Sequence, residues 1–248
     1  MSVLDCHCHL SFMSLEEAKS VLSNAPEDQQ WIFGGYQPSE WEAQIELKKL
    51  YPDRFQTCFG LHPWYIKSSE FDLARDIESL KLWADQADFI GEVGLDFFGD
   101  ESILKKDMQL NVFEQQLELN TTKPFVLHIV QAHGKALDIL KNYSIKGFVH
   151  SFSGSIEVAE KYLSHNILLS FGPNILNENF KNARETLAKL PLEAILIESD
   201  TPSNAIDENN PLDKLQKVYE EAAKIKEIDV EDLKQQVIQN FKSLIDLA

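Results

Sequence analysis

Phe89-Ile90-Gly91-Glu92-Val93-Gly94-Leu95-Asp96 is apolar enough to be a buried strand, yet it carries two carboxylates. Side chains alternate faces along a strand, so Glu92 and Asp96 share a face, and Gly94 between them leaves open space. A carboxylate in such a setting must be paired or must hold a cation, because burying it bare is costly. Short apolar runs of the same kind recur along the chain, at Val3–Leu10, Trp31–Tyr36, Phe55–His62, Phe125–Val130, Gly147–Phe152, Ile167–Phe171 and Ala194–Asp200. Segments with helical spacing separate them: Leu15–Ser23, Ser39–Leu50, Leu73–Ala87, Ile103–Asn120, His133–Lys141, Ile156–Leu163 and Ala183–Leu190. Two further helices, Pro211–Lys226 and Val230–Leu247, end the sequence. This alternation is the pattern of repeated βα units. Eight runs without a Gly/Ser-rich linker predict a closed (β/α)8 barrel of the TIM type, one domain over residues 1–248. An open doubly wound sheet is disfavoured, since no glycine-rich phosphate turn follows the first run.

Length agrees: 248 residues is close to the roughly 250 that such barrels use. No apolar stretch is long enough to cross a membrane, and the first residues lack the basic flank and apolar core of a secretion signal. Three cysteines, two of them Cys6 and Cys8, form no disulfide framework, so a reducing, cytoplasmic location is expected. We also expect a monomer. Lys and Arg number 23 against 40 Asp and Glu, a net charge of −17. A basic phosphate-binding face is therefore absent from the composition, which points to a small substrate or to metal ions taking over that work.

In a barrel of this kind, functional groups gather where strands end. The first run finishes Asp5-Cys6-His7-Cys8-His9. Strict alternation aims His7 and His9 at one point and turns the cysteines toward the helices. Later runs add Glu92 and Asp96, then His128, His150, Glu198 and Asp200. These are more ligands than one tetrahedral ion takes, and they suit two divalent cations. Imidazoles favour zinc, whereas carboxylates and a phosphate substrate admit magnesium or manganese. His62 and Ser153 are the expected substrate contacts. His133 and His165 are expected to be solvated, and Trp64, Phe97 and Phe98 are placed in the core, the alternative being that they wall the pocket or stack on a base. No nucleophile elbow, Walker loop or dinucleotide fingerprint is present.

Asp5–His9, Gly60-Leu61-His62-Pro63, Gly91–Asp96, His150-Ser151-Phe152-Ser153-Gly154 and Glu198-Ser199-Asp200-Thr201-Pro202, in this order, resemble the TatD family of metal-dependent deoxyribonucleases. The resemblance implies a barrel of the amidohydrolase type. It implies that His7, His9, Glu92 and Asp200 hold one ion and that Glu92, His128 and His150 hold a second. The implied reaction is phosphodiester hydrolysis on DNA, at a single strand or 3′ end. Asp200 is then the expected proton acceptor, Glu92 the bridge, and Asp96 and Glu198 the groups that orient ligand histidines. Three places depart from the family pattern: Val130 replaces an arginine, Trp64 a histidine, and residues 203–211 lack the usual basic stretch. Each departure removes a group that grips phosphate, so a small phosphodiester, ester, lactone or amide is the alternative substrate.

Overall fold

The computed structural model describes residues 3–10, 13–99, 102–119, 122–201 and 211–245. Asn120, Pro202, the stretch 203–210 that lacks basic residues, and Leu247 lie outside them. The strands are β1 (Leu4–Cys8), β2 (Gln30–Phe33), β3 (Phe55–Gln56), β4 (Cys58–Phe59), β5 (Phe89–Asp96), β6 (Phe125–Val130), β7 (Gly147–Val149), β8 (Ile167–Phe171) and β9 (Ile195–Ile197). Every neighbouring pair is parallel, in the orders β1-β2-β3 and β4-β5-β6-β7-β8-β9. The strands form a (β/α)8 barrel. Nine segments stand for eight expected runs because the run Phe55–His62 is one chain pass broken at Thr57.

The break and the seam are both closed. Beyond β9, the Asp200 N–H donates to His7 O at 3.0 Å and the His9 N–H to Thr201 O at 2.9 Å. Where β4 leaves β2, Gln44 takes the place of a strand: its Oε1 accepts the Cys58 N–H at 2.8 Å and its Nε2 donates to Gly34 O at 3.2 Å. Gln109 serves Asp96 and Gln116 serves Leu61 in the same way, each amide accepting the backbone N–H and donating to the carbonyl. Buried backbone polar groups need such partners. The periodic pattern could not reveal that three glutamines supply them.

Helices α1 (Leu15–Asn24), α2 (Trp41–Leu50), α3 (Pro63–Ile66), α4 (Leu73–Trp83), α5 (Ile103–Leu117), α6 (His133–Leu140), α7 (Ile156–Leu163), α8 (Lys181–Lys189), α9 (Pro211–Lys226) and α10 (Val230–Ile245) cover the sheet. Their starts follow local chemistry. Ser14 and Glu17 form a reciprocal capping box on α1, and Asp72 caps α4 through the Arg75 N–H. The short α3 was not expected; Pro63 occupies its first turn and His62 caps it. Among the described residues, no helix is long and apolar enough to cross a membrane.

Two register slips shape the barrel mouth. Between Asp5 and Cys8 of β1, and between Ile90 and Val93 of β5, one strand advances further than its partner. The β1 slip corrects the expectation for Cys6. Cys6 Sγ lies 2.9 Å from Ser170 Oγ of β8 and 3.8 Å from Glu198 Oε2. A contact that skips over β9 is made across the barrel interior, so Cys6 faces inward and strict alternation fails at this point.

Candidate metal centre

Glu92 stands at the middle of the site because β5 delivers it, buried, among histidines from several strands. Its two oxygens face different groups. Oε1 lies 3.4 Å from His7 Nε2 and 3.6 Å from His9 Nε2, and Asp200 Oδ1 completes this set at 3.9 and 3.6 Å from the same two nitrogens. Oε2 lies 3.0 Å from His150 Nε2 and 3.6 Å from His128 Nδ1. Ligand atoms at 2.0–2.1 Å around a tetrahedral ion are separated by about 3.4 Å, which these spacings approach.

The residues also fit a cation chemically. Both ring nitrogens of His7 and Glu92 Oε1 are buried without a hydrogen-bond partner. In a folded chain such orphans ask for an explanation, and an ion is the plain one. Gly34 keeps the cradle open: a Cβ there would meet His9 Cε1 at 2.5 Å and Glu92 Oε1 at 2.8 Å. Potential ligand atoms come together in the groups His7–His9–Glu92, His7–His150–Asp200 and His62–Glu92–His128.

Burial alone would protonate Glu92, but His7, His150 and His62 hold it well below the usual carboxylate range. Asp200 is likewise lowered: burial opposes its charge, and His9, His150 and His7 outweigh burial. Burial pulls His150 down, yet Glu92 and Glu198 hold it well above the ordinary imidazole value. His62 falls well below that value through burial and the neighbouring His128. Its Nδ1 accepts the Trp64 N–H at 2.9 Å, so a neutral ring carries its proton on Nε2. That nitrogen faces Glu92 Oε2 at 3.6 Å as a donor, which suits a substrate contact better than ligation.

Carboxylates behind the histidines fix their rings. Asp96 Oδ2 is 3.3 Å from His128 Nε2, and burial notwithstanding, its bonds to His128 and Trp64 lower its pKa to about 2. Glu198 Oε1 is 3.6 Å from His150 Nδ1 and accepts the Ser151 N–H at 2.8 Å.

The structure thus brings His7, His9, His62, Glu92, His128, His150 and Asp200 together. Ser153 is exposed and lines a depression of about 280 Å³ with residues of the α8 N-terminus, Asn179 to Ala183. His133 is half-buried: it packs on Phe152 and its Nδ1 meets Tyr162 OH at 3.0 Å. Trp64 and Phe98 leave the core and stand exposed. Glu40 was missed altogether. It is buried on the turn after β2, where burial pushes its carboxyl up to about 8 against the pull of His9. Its sequence setting, Pro38-Ser39-Glu40-Trp41, reads only as the acidic start of a helix.

Fold and cluster define a class: parallel α/β barrels with a histidine–carboxylate centre at the C-terminal rim. The chain belongs to the family described as TatD related DNase, which it matches over residues 4–246. Among its relatives, YabD of Bacillus subtilis (strain 168), described as an uncharacterized metal-dependent hydrolase, is 29% identical over 255 residues, 98% of each chain. MG009 of Mycoplasma genitalium, described likewise, is 30% identical over 264 residues, 98% of this chain and 99% of its own. The crystal structure of the TatD homolog YjjV from Escherichia coli K12 superposes with a TM-score of 0.87 at 24% identity, covering 99% of this chain and 98% of that one. Such relatives are metal-dependent hydrolases, and the present cluster could bind metal.

Proposed function

We propose that the chain is a phosphodiesterase that hydrolyses DNA, at a single strand or 3′ end, with two divalent cations. The observation that carries the reading is the division of Glu92, one oxygen toward His7 and His9, the other toward His128 and His150. His7, His9, Glu92 and Asp200 would hold one cation, and Glu92, His128 and His150 the other. When bound, such a pair lowers the pKa of water toward neutrality and offsets charge building on a phosphoryl group. Asp200, kept anionic by His9 and His150, accepts the proton of the attacking water and can return it to the leaving oxygen. His62 offers Nε2–H to a phosphoryl oxygen. Asp96 and Glu198 hold His128 and His150 in orientation. The Asp200→Asn variant is expected to lose turnover by at least about a hundredfold on end-labelled single-stranded DNA, while still binding metal by calorimetry. Retained turnover would remove Asp200 from this role.

A second reading keeps the centre and changes the substrate to a small phosphodiester, ester, lactone or amide. It is favoured by the net charge of −17 and by Val130, where a cation would contact a nucleic-acid backbone. A metal-titrated screen of labelled DNA beside simple phosphodiesters and esters separates the two.

A further inference from the structure

Two aromatic side chains stand in solvent at the rim, Trp64 with 47% of its surface exposed and Phe98 with 68%. Isolated exposed aromatics are ordinary. These two share an anchor. The indole N–H of Trp64 donates to Asp96 Oδ2, and the Phe98 N–H donates to Asp96 Oδ1 at 2.9 Å. Asp96 is buried, and Gln109 holds its backbone at both ends. The carboxylate that fixes the Trp64 ring and the Phe98 backbone therefore also orients His128 of the metal centre. Trp64 is tied a second time, through its backbone N–H, to His62 Nδ1. Its ring lies edge-on to those of His62 and His128, at 73° and 71°, with centroids 5.2 and 6.1 Å away. Neither imidazole stacks on an indole face.

We propose that Trp64, assisted by Phe98, is a stacking platform for the nucleobase next to the scissile bond, so that the substrate is recognised by its terminal base rather than by its phosphates. The inference rests on the phosphodiesterase reading and supplies what that reading lacks. A chain with net charge −17 carries an excess of negative charge that works against gripping a phosphate backbone, whereas stacking on an aromatic face is indifferent to charge and to base identity. An indole held at its edge gives up little conformational entropy when a base settles on it. Trp64 sits one ring away from His62 and His128, so a stacked terminal base places its own phosphodiester over the centre.

The test compares two single-stranded oligonucleotides that differ only in the terminal 3′ nucleotide, natural or abasic. Binding is measured by fluorescence anisotropy in the Asp200→Asn background, and cleavage in chains with Asp200 intact. The ratio of affinities, natural over abasic, is expected to fall roughly tenfold with Trp64→Ala, to fall less with Phe98→Ala, and to survive largely in Trp64→Phe. An unchanged ratio in Trp64→Ala overturns the platform. If the ratio falls but no divalent cation supports cleavage, the platform stands and the phosphodiesterase reading fails. Cleavage with the ratio unmoved gives the reverse, and a chain that neither binds nor cleaves either strand overturns both.

Discussion

Asp5 shows how much a single buried carboxyl decides around this centre. It lies two residues before His7 and accepts the Ser199 N–H at 2.8 Å and the Ser199 hydroxyl at 2.6 Å, so it ties the first strand to the chain just before Asp200. Burial, with Glu198 nearby, raises its pKa to about 7 although the Ser199 bonds pull the other way. Between its ordinary value near 3.8 and 7, the folded chain keeps a proton that the unfolded chain has lost. Stability therefore falls as pH rises through that window, by about 4 kcal/mol at most. Asn keeps the same shape, accepts the Ser199 N–H and donates to the hydroxyl, without a charge to bury. In chelator, urea unfolding of the natural chain is expected to shift to lower midpoints between pH 5 and 7.5, and the shift is expected to be smaller in Asp5→Asn. Equal shifts in both would show that the slope originates elsewhere.

The helices do more than cover the barrel; three of their glutamines complete it. Gln44 of α2 is the clearest case, because β4 and β2 do not pair where it inserts. Gln44→Leu would leave the Cys58 N–H and the Gly34 carbonyl buried and unpartnered, each at a cost of about 1–3 kcal/mol. A fall of that order in unfolding free energy is expected from denaturant titration; a variant as stable as the natural chain would mean that the seam closes without the amide. Gly34 also lines His9, so metal affinity is expected to drop alongside stability. This level of the structure was only half legible in the sequence. The strands announced themselves as apolar runs, and the ligand candidates as polar residues at their ends, because both signals are local and periodic. The break at Thr57 was not legible, since it depends on a side chain from another element. The inward turn of Cys6 was hidden by a register slip that alternation does not foresee. The exposure of Trp64 and Phe98 was not legible, because an aromatic residue in sequence carries no mark of standing outward; Asp96, which anchors the Trp64 indole, is 32 positions away.

Chain closure, charge and cation belong to one argument. Candidate ligands run from His7 to Asp200, most of the described length, and they meet only when the barrel has closed. The unfolded chain offers no such set, so a cation that binds here binds the native state and stabilises it by mass action. The acidic composition, 40 Asp and Glu against 23 Lys and Arg, raises the local concentration of cations and adds self-repulsion that a bound cation relieves. Without a cation, Glu92 and Asp200 face one another across His7 and His9, with the orphaned Nε2 of His7 between them. Saturation at a hundred times the dissociation constant is worth about 2.7 kcal/mol, which for a chain of this size corresponds to roughly 5–10 °C in melting temperature. Dialysis against chelator is expected to lower the melting temperature by that amount, and zinc, magnesium or manganese to restore it in the order of their affinities. The Glu92→Gln variant, whose central ligand has lost its charge, is expected to show a much smaller response to chelation. If the natural chain melts at the same temperature with and without chelator, no cation links these distant segments, and the cluster is a network of buried polar groups instead.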